Sequence, residues 1–173
     1  MTRTDQAVPG ERADLLETLA KNRYFLRYTV RELTDEQAAQ RTTVSELCLG
    51  GLIKHVALVE RQWISFILDG PSAMGSWAKA SVDDWAEGFS MLAGETLAGL
   101  LDYYEQVARR TDELVAALAD LDISHPLPEA PWFEPGTRWS ARRVLLHVIA
   151  ETAQHAGHAD IIREALDGAK SMG

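Results

Sequence analysis

Apolar side chains recur along this chain at the spacing of an α-helix, and the breaks between the runs mark its elements. From about Glu11 to Leu33 the inward positions are Leu15, Leu19, Leu26, Val30 and Leu33. Thr34-Asp35-Glu36-Gln37 reads as a helix start, with Thr34 as cap and Gln37 at the third helical position. A second long helix is predicted from about Leu49 to Leu68, closed by Asp69-Gly70-Pro71. A third spans about Thr96 to Leu118 and turns Leu97, Leu100, Leu101, Tyr104, Val107, Leu114 and Leu118 inward. The last begins at about Ser140, a fitting N-cap, and ends before Gly168.

The connections are long. Residues 1–10 read as a loose arm, and 70–92, with Trp77 and Trp85, as a partly ordered connection. Residues 120–138 hold Pro126, Pro128, Pro131 and Pro135 and read as a rigid loop. There is no strand alternation and no internal repeat. The expected fold is all-α, a four-helix bundle with long crossover connections rather than tight up-and-down turns.

Composition narrows the setting. The 173 residues fit a single domain, and 46% hydrophobic with 25% charged residues matches a soluble globular protein. A net charge of −9, with no Lys/Arg cluster, argues against nucleic acid and anionic membranes as partners. No run approaches the length of a membrane span, and the polar start MTRTDQAVPGERAD lacks the apolar core of a signal peptide. One cysteine, Cys48, excludes an internal disulfide and fits a reducing cytosol, so a cytoplasmic location is expected.

The chemistry concentrates in the last helix, where His147, Glu151, His155 and His158 stand at i, i+4, i+8 and i+11. At about 100° per residue they fall within an arc of roughly 80°. Glu151 and His155 border the apolar arc of Val144, Val148, Thr152 and Ala159; His147 and His158 lie nearer the rim. His55 borders a matching arc of Leu52, Val56, Val59, Trp63 and Ile67 in the second long helix. Imidazole nitrogen and carboxylate oxygen suit zinc and its neighbours, and bundle metals are held from facing helices. His55, Glu151 and His155 are therefore the expected metal ligands, with positions left open for water or substrate. Taken alone, His55 reads rather as a hydrogen-bonded core or rim histidine, and the bland alternative for the stripe is a polar seam without metal.

Other residues carry less. Cys48 lies seven residues before His55 and reads as a small buried hydrophobe rather than a redox group or fourth ligand. Glu60 sits inside the apolar arc, about 140° from His55, so a buried arginine such as Arg163 is its expected partner. Asp160, Arg163 and Glu164 read as an intrahelical charge set, and Gly157 as a close crossing, as room beside the metal or as a tolerated defect. Trp63, Trp132, Phe133 and Trp139 read as core plugs or as walls of a pocket over the site. His125 is assigned nothing.

The segments LCLGGLIKHVALVERQW and WSARRVLLHVIAETAQHAGHADIIREALDG resemble the DinB-like superfamily, in particular its DUF664 branch. The resemblance covers nearly the whole chain. It implies a four-helix bundle with one metal ligand on the second helix and two on the fourth, which fall here on His55, Glu151 and His155. The family pair is spaced H-x3-H; here Glu151 takes its first place, as in the related mycothiol-dependent maleylpyruvate isomerases. Relatives include bacillithiol and mycothiol S-transferases. The resemblance thus implies a divalent metal (zinc, with nickel as the alternative), a low-molecular-weight thiol co-substrate, a small-molecule electrophile and a homodimer. The second domain of the isomerase has no counterpart.

The expected function is a metal-dependent S-transferase, with His158, or secondarily His147, as proton carrier or outer partner of the ligands. The alternatives are a non-catalytic metal- or ligand-binding bundle acting as a sensor or stress accessory, and a structural dimerising bundle.

Overall fold

A computed structural model of the chain describes residues 10–75 and 86–171. Its long helices are α1 (Glu11–Tyr28), α3 (Leu49–Asp69), α4 (Leu97–Ala117) and α5 (Ala141–Asp167), with the short α2 (Asp35–Ala39) between the first two. The DinB-like all-α bundle is what these helices build. α1 packs on α5, and α3 packs on both α4 and α5. Among the described residues no helix is long and apolar enough to cross a membrane.

Local signals set most boundaries. Thr34 and Gln37 form a reciprocal capping box at α2, and Ser140 accepts from the Arg143 N–H at the start of α5. Gly168 closes α5 in the left-handed conformation, at φ 79°. Cys48 caps α3, its sulfur accepting from the Gly51 N–H at 3.4 Å, which satisfies one of the orphan donors of the first turn.

Two departures have physical causes. α1 stops at Tyr28 instead of running to Leu33, and tight i+3 turns follow, with Glu32 at φ 60°. Arg163 of α5 reaches across and donates to the carbonyls of Thr29 and Arg31, at 2.7 and 2.8 Å. Those carbonyls need no helical donor, and Val30 stays buried. The proline segment also contains a strand pair. β1 (Ser124–Pro126) runs antiparallel to β2 (Arg138–Ser140), with His125 opposite Trp139. Each strand is three residues long, too short for alternation to show in sequence. Trp77 and Trp85 lie outside the described residues.

The core has two apolar halves. One gathers Leu19, Trp63, Phe66, Val115, Leu145 and Val148; the other gathers Leu26, Leu52, Val56, Tyr104, Ala159 and Ile162. Buried polar groups from several helices also enter the interior: Arg23, Glu60, Thr111, Thr152, His55 and His155. Glu60, fully buried, pairs with Arg23 of α1 and accepts from the Thr111 hydroxyl at 2.6 Å. The partner is therefore Arg23 and not Arg163, which bonds Asp167 at 2.9 Å and the α1 carbonyls. Asp160 accepts from the Ser171 N–H and Glu164 pairs with Lys170, so this group is not one intrahelical set. An added methyl at Gly157 would meet nothing within 4 Å, which leaves no close crossing there.

Candidate functional site

α3 and α5 bring His55, Glu151 and His155 together because each stands at the border of its helix's buried stripe. One ligand atom from each lies within 4.8 Å of the others. His55 and His155 are only 7% and 8% exposed. Glu151 is half-buried, its Oε2 3.6 Å from Nε2 of His155. On the other side of the same ring, Nδ1 of His155 is 3.3 Å from Nδ1 of His158. The chemistry of the donors fits a divalent cation of the zinc or nickel type, which takes neutral imidazole and carboxylate.

The electrostatics prepare these groups for that work. Burial, helped by the neighbouring His155 and opposed by Glu151, pushes the His55 imidazole down to about 4. At neutral pH it is uncharged and carries a lone pair. His155 as hydrogen-bond donor, then the other nearby imidazoles, hold the Glu151 carboxyl below its ordinary value despite desolvation. Burial also lowers His147, against the pull of Glu151.

The three groups line a cavity of about 390 Å³. Phe89, Val59, Trp63, Trp132, Phe133, Trp139 and His147 complete the described lining, with His147 between Glu151 and the tryptophans. Trp63 stacks on Trp139 with centroids 4.7 Å apart, and His147 meets both indoles edge-on at 4.9 and 5.1 Å. The tryptophans and Phe133 thus wall a pocket. His147 lines it, whereas His158 stands behind His155 and does not. Cys48 is buried at the base of α3, and its thiol donates towards the Phe89 carbonyl at 3.7 Å. It takes no part in the His–Glu–His cluster. His125 lies within 3.2 Å of the Ile67 carbonyl, a structural contact at the end of α3.

Sequence reasoning missed Phe89, which stacks on His55 with centroids 3.8 Å apart. Gly50-Gly51 was the available signal. A Cβ on Gly51 would run into the Phe89 carbonyl, and one on Gly50 into the Met91 side chain. Lys54 also went unnoticed; it is buried and held by both oxygens of Glu95, at 2.9 and 3.1 Å.

An all-α bundle with a histidine–carboxylate cluster between two helices defines the class. The chain matches the family model described as mycothiol-S-transferase over residues 14–168, and it belongs to that family. A solved structure of a conserved protein from Enterococcus faecalis shares the fold, with a TM-score of 0.70 at 17% identity. That likeness covers 93% of this chain and 99% of the other. Comparison with curated proteins gives no match.

Proposed function

We propose that this protein is a metal-dependent S-transferase that joins a low-molecular-weight thiol, mycothiol by family membership, to a small electrophile. The observation that carries the reading is the convergence of His55, Glu151 and His155 in the wall of a cavity lined largely by aromatic side chains. These residues would hold a divalent cation, zinc or nickel. Bound there, such a cation supplies Lewis acidity, which lowers the pKa of a thiol and favours the thiolate.

The chain's own residues do the rest. His55 and His155 are kept in place by packing, with His158 engaging the far nitrogen of His155 and setting its orientation. The proton-carrying role expected first of His158 is better filled by His147, which lines the cavity outside the three-residue cluster, whereas His158 does not line it. His147 is neutral at pH 7 and able to take the thiol proton. The sulfur forms a bond to the electrophilic carbon, and the leaving group departs with its bonding pair.

The test is to strip the purified protein with chelator, reload it with zinc or nickel, and measure metal content and thiol consumption. A range of thiols, mycothiol among them, is offered with a generic alkylating electrophile. We expect one metal per chain, lost in His55→Ala, and thiol consumption that needs the metal. A folded protein that takes up neither metal defeats the reading. Metal uptake with no thiol reaction favours the non-catalytic binding bundle instead.

A further inference from the structure

The outward side of α5 is apolar at its centre and oppositely charged at its two ends. From Leu146 to Ile161 its exposed residues are Leu146, Ala150, Ala153, Gln154, Gly157 and Ile161, and none of them is charged. Leu146 and Ile161 stand 48% and 64% exposed. Arg143 is exposed just before this face and Glu164 just after it. The six residues fall within an arc of about 100° and span roughly 20 Å along the helix. A face that meets only water normally carries its helix's charges, and the chain as a whole has a net charge of −9.

Gly157 is out of place on such a face. Glycine inside a helix costs stability relative to alanine, and an added methyl would meet nothing within 4 Å among the described residues. A single chain gains nothing from it. A second helix laid against α5 would, because small residues at the contact let two helix axes approach closely. The exposed positions are also mirrored about a point between Ala153 and Gln154. With a second α5 antiparallel across that point, Leu146 comes level with the partner's Ile161 and Ala150 with the partner's Gly157. Arg143 comes level with the partner's Glu164. Large apolar groups then meet at the ends of the contact, small ones at its centre, and opposite charges beyond. A parallel pair would instead set Arg143 beside the partner's Arg143, so the charges choose the direction. Glu164 pairs with Lys170 at 3.0 Å, but both are half exposed and such pairs hold weakly.

We propose that two copies of this chain join through the outward face of α5, antiparallel about a two-fold axis at Ala153 and Gln154. The expected homodimer thereby acquires a surface and a register, and neither depends on the transferase reading. Flanking segments widen the contact. The Ile123 carbonyl accepts from the Ala141 N–H at 2.9 Å, which sets the exposed Ile123 beside the start of α5. The Thr42 hydroxyl donates to the Ile162 carbonyl at 3.1 Å, so the loop that presents the fully exposed Val44 lies against its other end. In the antiparallel register Ile123 is at the same end of the contact as the partner's Val44. One helix pair with these flanks falls short of the roughly 800 Å² per partner of a typical stable interface, so the dimer is expected to dissociate at micromolar concentration. Glu151 and His155 lie on either side of the axis level, which puts the two His–Glu–His clusters at the middle of the dimer.

The experiment is sedimentation velocity on the full chain across the micromolar range. The parent is expected to pass from monomer to dimer as concentration rises. Ala153→Arg, which sets like charges at the axis, should stay monomeric throughout while keeping the parent's far-ultraviolet circular dichroism. Gly157→Ala should weaken the dimer by about tenfold, yet raise the melting temperature when added to the monomeric Ala153→Arg chain. An ordinary solvated glycine would show only the second effect. Arg143→Glu and Glu164→Arg should each weaken the dimer, and the two together should restore it. Arg143 also lies over the Trp139 ring at 4.2 Å, so the restoration is the decisive reading. A parent that stays monomeric, a dimer that Ala153→Arg or Gly157→Ala leaves as tight as before, or a charge-swapped chain no tighter than either single variant overturns the proposal.

Discussion

Phe89 lies nearly parallel to His55, with ring centroids 3.8 Å apart and planes 21° from each other. His155 meets the same imidazole edge-on at 4.9 Å. With rings on both sides, His55 cannot swing without losing a contact. The seat for Phe89 is prepared by Gly51, whose missing side chain leaves room for the Phe89 carbonyl. We expect Phe89→Leu, which keeps apolar bulk but removes the stack, to weaken zinc affinity by about tenfold. Competition with a chromophoric chelator measures this. Affinity unchanged from the parent would mean that packing against Phe89 does not orient the ligand.

His158 acts through His155 in the same sense. Its Nδ1 is 3.3 Å from that of His155, on the side away from Glu151. Outer partners of this kind are worth about 10- to 100-fold in metal affinity. His158→Ala should show that loss with an unchanged melting temperature for the metal-free protein. His158→Asn, which keeps a hydrogen-bonding group, should recover part of it. Equal zinc affinity in all three proteins would remove His158 from the site.

How much of this was legible in sequence depended on the distance over which each feature is decided. The capping box at Thr34, the Ser140 cap and the Gly168 stop are settled within four residues, and all three are present. The meeting of His55 with Glu151 and His155 followed from helix angles, since each stands where its own apolar stripe ends. Angles could not separate His147 from His158, which differ by only about 20° around the helix. Height decides instead: His147 is level with Trp63 and Trp139, His158 three turns further on. Glu60 shows the same limit. Its burial was readable, but the choice of Arg23 over Arg163 depends on how α1 and α5 rotate against α3. Phe89 lies 34 positions from His55, and only tertiary folding brings the two rings together.

The Arg23–Glu60 pair is buried, with side chains 5% and 0% exposed, and Asp112 and Thr111 complete its bonding. Removing one partner strands the other charge away from water. Glu60→Ala is expected to cost about 3 to 5 kcal/mol, whereas replacing both by apolar residues of similar size costs far less. Urea unfolding of Glu60→Ala beside Arg23→Met/Glu60→Leu checks this. A double variant as damaged as the single one would show that the pair contributes more than mutual neutralisation.

The last relationship bears on pH. Burial pushes the Glu95 carboxyl up, but the Leu92 N–H at 2.7 Å and the Lys54 ammonium pull harder. The net result lies below the ordinary 4.5. A carboxylate depressed in the folded state adds stability above its unfolded pKa, and that stability goes as pH falls through the folded value. The Lys54–Glu95 contribution is therefore whole at pH 7 and begins to fade below about 4.5. Glu95→Gln should melt lower than the parent at pH 7, with the gap closing in more acidic buffer. Because Lys54 precedes His55 on α3 and Glu95 follows the Phe89 segment, the same substitution should loosen the His55–Phe89 stack. Its zinc affinity at pH 7 should then fall. A melting gap that persists unchanged from pH 7 to below pH 4 would mean that the pair's charge contributes nothing, leaving only its packing.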